Sequence, residues 1–158
     1  MNVTIRKMET DDEIRGKAFV HWKSWHESYA GLVDPAYLAA LTLEKCEKLA
    51  FQWPDNLLVA KDGERVIGFV GFGESREIPD CGEIFALYVL EEYQRKGIGS
   101  RLMEAGMRQL SVYPKKSLWV LAENRKAIRF YRKYGFRPDG SAARSDALSA
   151  DVIRMILD

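Results

Sequence analysis

The stretch Tyr88-Val89-Leu90-Glu91-Glu92-Tyr93-Gln94-Arg95-Lys96-Gly97-Ile98-Gly99-Ser100 constrains the fold of this chain more than any other. An apolar run that reads as a strand ends at Leu90. A short polar loop follows, and a helix begins at Gly97-x-Gly99. Glycine lets backbone approach a ligand closely. The first N–H groups of a helix have no partner within it, and the helix dipole adds partial positive charge there. Such an end binds phosphate, and Arg95 and Lys96 add formal charge. These residues alone leave two readings open, a phosphate cradle or a helix that merely begins with two glycines. They exclude a P-loop, since no GxxxxGKS/T occurs. They also exclude the dinucleotide fingerprint, whose third glycine is missing from Gly-Ile-Gly-Ser-Arg-Leu.

The rest of the chain alternates between helix and strand signals. Val3–Lys7 alternates as a strand does. Thr10 with Glu13 fits a capping box, which predicts a helix from Asp11 to about Tyr29, ended by Gly31. Asp34-Pro35 starts a second helix, and Thr42 starts a third that stops before Pro54. Trp22, Trp25, Tyr29, Tyr37 and Trp53 make this helical cover aromatic. Asn56–Lys61 and Arg65–Gly73 read as strands joined at Asp62-Gly63. Gly82–Leu90 is a further strand, Gly97–Val112 a helix, Ser117–Ala122 a strand, and Asn124–Tyr134 a helix capped by Gly135. Phe136 opens another strand and Asp151–Leu157 is the last. The expectation is an α/β (α+β) fold, a mixed sheet with helices on its faces. With no repeat, linker or low-complexity tract, residues 1–158 read as one domain.

Composition removes several function classes. No apolar run approaches the roughly 18–20 residues that cross a bilayer, and the N-terminus has no apolar signal core. The expected location is the cytoplasm, with no membrane partner. Cys46 and Cys81 are too few for a disulfide framework, and no CxxC or His/Cys cluster suggests a metal. The net charge of +1 hides an asymmetry: residues 91–137 carry 12 Lys/Arg against 4 Asp/Glu, and residues 1–90 carry 10 against 15. A basic segment can meet phosphates and an acidic remainder can attract a cation. Solvated helix faces would give the same counts. No nucleic-acid motif accompanies the basic segment.

Gln94-x-x-Gly97-x-Gly99 at a strand-to-helix junction resembles the pyrophosphate-binding motif of the GCN5-related N-acetyltransferase (GNAT) superfamily. Asn124-Arg-Lys-Ala-Ile-Arg-Phe-Tyr131-Arg-Lys-Tyr-Gly135-Phe136 is similar to a second segment of that family. Together the two blocks cover residues 82–136. His21-x(3)-Trp25-x(3)-Tyr29-x-Gly31, followed by Tyr37-Leu38, is similar to a bacterial branch with polyamine acetyltransferases of the PaiA type. The resemblance implies a mostly antiparallel sheet with helices on both faces and a splayed central strand pair. It implies that the Gln94 loop binds acetyl-CoA, with the amides of Arg95, Lys96, Gly97, Ile98, Gly99 and Ser100 on the pyrophosphate. The backbone of Leu87, Tyr88 and Val89 would pair with the pantetheine arm along a bulged strand. Asn124 would bond the arm near its thiol end and Tyr131 would lie beside the sulfur. The family often has proline where this chain has Glu91, so this loop is expected to be less rigid.

Transfer to an amine needs a neutral nucleophile. A free alkylamine has a pKa near ~10.4, so a base must take its proton. Glu83, at the start of the strand, is the first candidate, with Glu27 and Glu74 as second choices and a water chain as a further route. Strict alternation puts Glu83, Phe85, Leu87 and Val89 on one face and Ile84, Ala86 and Tyr88 on the other, unless a bulge intervenes. A backbone N–H near Val89 can meet the charge that develops on the thioester oxygen, and Tyr131 can protonate the leaving thiolate. No Cys or Ser has a base at motif spacing, so direct attack without an acyl-enzyme is expected. The expected acceptor is a small cationic amine such as a polyamine. The alternatives are a protein N-terminus or lysine, or a non-catalytic acyl-CoA-binding sensor. No metal and no nucleic acid is expected to take part. A homodimer is an open expectation, since dimers are frequent in the family.

Overall fold

Thr10 accepts the Glu13 N–H at 3.2 Å and starts helix α1 (Asp11–Ser28). The other half of the capping box is not made. The Glu13 carboxylate takes the Glu9 N–H at 2.6 Å instead, together with Lys61 Nζ at 2.6 Å and the Arg6 guanidinium. Through these bonds it ties strands β1 (Val3–Arg6) and β2 (Leu57–Asp62) to the helix. The chain is described here over residues 1–158 by a computed structural model.

Asp34 caps α2 (Pro35–Ala40) by accepting the Ala36 N–H at 2.9 Å, and Thr42 caps α3 (Leu43–Gln52). β2 and β3 (Arg65–Glu74) form the expected hairpin, with the turn one residue later than the Asp62-Gly63 signal suggests. Asp62 pairs with Arg65, so Gly63 and Glu64 make the loop. Gly63 takes its first central position with φ +60°, as a primed hairpin turn requires. After β4 (Cys81–Val89), helix α4 (Ile98–Gln109) stops short of the expected Val112. The early stop lets Leu110 and Tyr113 pack on Gly82, where a Cβ would sit 2.8 Å from the Tyr113 ring. β5 (Lys115–Leu121), α5 (Arg125–Lys133), β6 (Arg137–Ser145) and β7 (Ala150–Leu157) complete the chain.

The seven strands form a sheet in the order β1-β2-β3-β4-β5-β7-β6. All neighbours are antiparallel except β4 and β5. Helix α1 covers one face, with Gly16 against Val66 and the Lys17 ammonium over the Phe69 ring. Helix α4 covers the other, with Gly106 against Val70 and Ile84. Val70, Ile84, Leu102, Met103, Leu118 and Phe136 are buried in the main core.

Two features of β4 shape the site. Its parallel pairing with β5 runs only from Cys81–Lys115 to Ile84–Leu118, and beyond Ile84 the strands part. Its register with β3 slips between Ile84–Phe72 and Ala86–Gly71, so Phe85 is an extra, unpaired residue. The slip corrects the strict alternation. Glu83 pairs with Gly73, Ala86 with Gly71 and Tyr88 with Phe69, which puts these three on the α1 face. Ile84, Leu87 and Val89 face α4.

Candidate active site

The split between β4 and β5 opens a slot of about 1060 Å³. One wall is the free edge of β4. Along an antiparallel strand the N–H and C=O groups of alternate residues point to the same side. Leu90 N–H bonds the Ile67 carbonyl on β3, whereas the Val89 carbonyl receives Gln94 Nε2 on the open side. Leu87 therefore turns its N–H and C=O into the slot, as does Val89 its N–H. Tyr88 is turned back to β3 and offers the slot its side chain instead.

At one end of this edge lies the loop Gln94–Ser100. The Gln94 N–H is spent on the Glu91 carbonyl at 3.1 Å, and helical bonding resumes with Arg101 N–H on the Gly97 carbonyl. Between them the N–H groups of Arg95, Lys96, Gly97, Ile98, Gly99 and Ser100 have no acceptor in the chain. Arg95 and Gly97 hold positive φ, +63° and +80°, which bends this run into a concave donor array. Gln94 braces it: Nε2 donates to Val89 at 3.0 Å, and Oε1 accepts from Lys126 Nζ at 3.0 Å. The Glu91 N–H donates to Glu27 Oε1 at 3.2 Å, a bond that proline at this position could not make. This loop is thus tied down by α1, against the lower rigidity expected for it.

Helix α5 supplies the opposite wall. Its N-cap Asn124 accepts the Ala127 N–H through Oδ1 at 3.2 Å, which leaves Nδ2 as the donor toward the slot. Lys126, Arg129 and Lys133 line the slot along this helix. Tyr131 lines it too, with its ring edge-on to Phe130 and Phe136. Burial, with a smaller contribution from Tyr29, pushes the Tyr131 hydroxyl well above the usual tyrosine range, so it carries its proton at neutral pH. From α1, Trp25 Nε1 donates to the Tyr88 hydroxyl at 3.1 Å and the Tyr29 hydroxyl donates to the same oxygen at 3.5 Å. The Asp34 N–H donates to the Leu148 carbonyl at 2.7 Å, joining the α1–α2 loop to the β6–β7 loop above the slot.

Glu83 lies outside this slot. It lines a smaller adjoining cavity of about 490 Å³ with Arg76, Glu77 and Phe85, and Phe85 borders both spaces. Glu83 is half-buried. Burial first, and Glu77 second, raise its carboxyl above the ordinary value. The other two carboxylates are placed differently. Glu27 lines the slot at the end formed by the Gln94–Ser100 loop and accepts from the Glu91 N–H. Glu74 is exposed on the opposite face of β3 from Glu83's partner Gly73.

Several slot residues escape a reading of the sequence. The surplus of basic residues in 91–137 is visible, but not which of them turn inward. Phe85 and Trp119 give no local signal. Within the aromatic cover, Trp25 and Tyr29 line the slot, whereas Trp53 is 67% exposed and takes no part. No group of three His, Cys, Asp or Glu side chains is placed to hold a metal, and no helix is long and apolar enough to cross a membrane.

The sequence pattern of the acetyltransferase (GNAT) family matches residues 19–136. The uncharacterized N-acetyltransferase YuaI of Bacillus subtilis is 34% identical over 141 residues, covering 84% of this chain and 79% of the relative. The [ribosomal protein bS18]-alanine N-acetyltransferase of Escherichia coli is 30% identical over 97 residues, 55% of this chain and 66% of the relative. Among solved structures, the PaiA N-acetyltransferase of Thermoplasma acidophilum in complex with coenzyme A has the same fold. It has a TM-score of 0.74 and 24% identity, and the match covers 98% of each chain.

Proposed function

This chain belongs to the acetyltransferase (GNAT) family, and we propose that it acetylates a small primary amine by direct attack on acetyl-CoA held between β4 and β5. Acetyl-CoA as acyl donor comes with the family, and it replaces the alternative of a non-catalytic sensor. The observation that carries the proposed site is the run of six acceptor-free N–H groups from Arg95 to Ser100 at one end of an unpaired strand edge. Such an array suits a pyrophosphate, and the edge suits an extended amide-bearing arm.

The roles follow from position. The six amides, with Lys126, Arg129 and Lys133 beside them, hold the phosphates. Gln94 is a positioning residue, since its side chain braces the loop. Leu87 and Val89 pair with the pantetheine arm, and Asn124 Nδ2 donates to it. The oxyanion donor is better placed at Leu87 than at Val89. Val89 adjoins the phosphate loop through Gln94, so the thioester end of the arm falls one or two residues nearer the bulge. The acyl donor supplies an activated carbonyl and a thiolate leaving group. Tyr131, held protonated, gives its proton to that thiolate. Glu83 takes the proton of the incoming amine, through water that passes Phe85. Its raised pKa makes it a stronger base while it remains a carboxylate.

For the acceptor, the joined loops at Asp34 and Leu148 favour a small molecule over a folded protein segment. A polyamine is expected from the acidic N-terminal half, but the acceptor end is less acidic than that half: Glu27 lies at the other end of the slot, Glu77 accepts from Trp119, and Glu83 alone is unpaired. A peptide N-terminus is the second reading, favoured by the similarity to the E. coli ribosomal-protein enzyme. A panel of primary amines, polyamines and short peptides with acetyl-CoA, followed by thiol release, decides among them. Turnover of small amines with none for peptides supports the first reading, and the reverse overturns it.

A further inference from the structure

Phe85 is the one large apolar side chain on a strand that stands exposed, at 54%. The cause is the bulge, which leaves Phe85 without a partner on β3 and projects it out of the ladder. The ring lies over Gly73, where a Cβ would come within 2.7 Å of Phe85 Cε2, so glycine there makes the ring's resting place. From that place it borders both the slot and the cavity of Glu83. Across the split, Trp119 is fixed by donating Nε1 to Glu77 at 2.8 Å, with the Arg154 guanidinium over its ring at 5.7 Å. Arg154 is in turn held by Asp139 at 2.6 Å. These bonds occupy Glu77 and Arg154 and leave one free carboxylate, Glu83, beside two aromatic surfaces.

We infer that Phe85 is the acceptor-recognition residue, its ring seating the apolar or aromatic body of a monocationic primary amine whose ammonium group faces Glu83. The inference rests on the reading of this end of the slot as the acceptor side. A ring at the threshold between base and thioester contacts any amine that passes, and aromatic faces attract both apolar bodies and cations. One unpaired carboxylate matches one ammonium. A polycation would bring its further charges against Arg76, against the rings, or against Glu77, whose carboxylate already accepts Trp119 and lies 4.0 Å from Arg154.

The test uses the purified enzyme with acetyl-CoA and two probes, 2-phenylethylamine and spermidine. The expected result is a kcat/KM for 2-phenylethylamine roughly 10-fold or more above that for spermidine. Phe85→Ala should erase that preference, lowering the 2-phenylethylamine value by roughly 10-fold, the size of one aromatic or cation–π contact, while KM for acetyl-CoA stays within about 2-fold. Phe85→Leu, which keeps an apolar side chain, should lie between. Gly73→Ala, which pushes the ring from its seat, should move the preference the same way as Phe85→Ala. Calorimetric binding of 2-phenylethylamine to the enzyme–coenzyme A complex gives a readout free of turnover. Binding that weakens about 10-fold in Phe85→Ala supports the inference even if no amine is acetylated, in which case the transfer reading alone fails. Spermidine preferred by the wild type, or 2-phenylethylamine binding unchanged in Phe85→Ala, overturns it.

Discussion

The Gln94 side-chain amide donates to the Val89 carbonyl at 3.0 Å and so fastens the Gln94–Ser100 loop to the strand edge that the cofactor arm would follow. Its other end takes Lys126, so one side chain sets the spacing of β4, the loop and α5. Removing it in Gln94→Ala forfeits about 1–1.5 kcal/mol of hydrogen bonding. The dissociation constant for acetyl-CoA should rise roughly 5–10-fold by titration calorimetry. An unchanged constant would mean that the loop is held by other contacts.

The two glycines of the loop act by different means. A Cβ at Gly97 meets nothing within 4 Å, but its φ of +80° strains any other residue. Gly99 is helical, and a Cβ there would touch Phe130 at an ordinary 3.8 Å. Gly99→Val should therefore fold, since valine has a higher helix propensity than glycine, yet crowd the donor array and weaken acetyl-CoA binding more than roughly 10-fold. A folded Gly99→Val protein with wild-type affinity would contradict the phosphate site.

Tyr131→Phe keeps the ring that packs on Phe130 and Phe136 and removes only the proton. The expected fall in kcat is roughly 10–100-fold, at or below the low end of general-acid effects, with acetyl-CoA affinity within about 2-fold. An unaffected rate would assign the proton to water and leave Tyr131 a packing residue.

Glu83 titrates above the ordinary carboxylate value because burial and Glu77 disfavour its charged form. As a base it acts only when deprotonated, so wild-type kcat/KM should rise with pH through its raised pKa. Glu83→Gln should lose activity most near neutral pH and recover in part at high pH, where free amine forms unaided. Equal activity across pH 6–9 would place the base elsewhere.

Stability at low pH should depend on Glu13. It is 4% exposed and holds Lys61, equally buried, together with Arg6. These bonds, Arg6 foremost, lower its pKa from 4.5 to about 2. A depressed folded-state value gives stability that is complete above the unfolded value of 4.5 and lost as pH falls toward about 2. Glu13→Gln strands the Lys61 ammonium and should cost about 3 kcal/mol at neutral pH by urea unfolding. The gap from wild type should shrink as pH drops from 4.5 toward 2. A gap that stays constant over that window would contradict the assignment.

What the sequence made legible was local. The caps at Thr10, Asp34 and Thr42, the glycine hairpin and the Gly97-x-Gly99 helix start are each decided within a few residues, and all stand in the structure. The faces of β4 were not legible, because the bulge at Phe85 is set by the pairing of Gly71 and Phe72 on another strand. For the same reason the sequence marks Glu83 only as a carboxylate at a strand start, without its separation from the slot by Phe85. The motif marks Gln94 as a ligand contact, whereas its brace between Val89 and Lys126 depends on a helix 30 residues on.

Direct attack of the amine is tested most directly by thiol release before the steady state, at enzyme equal to acetyl-CoA and without acceptor. With no side-chain nucleophile paired to a base along the slot, no burst of thiol should appear until a primary amine is added. Release should then match the acetylated amine formed, mole for mole. A burst approaching one thiol per enzyme in the absence of amine would reveal an acyl-enzyme and contradict transfer in a single step.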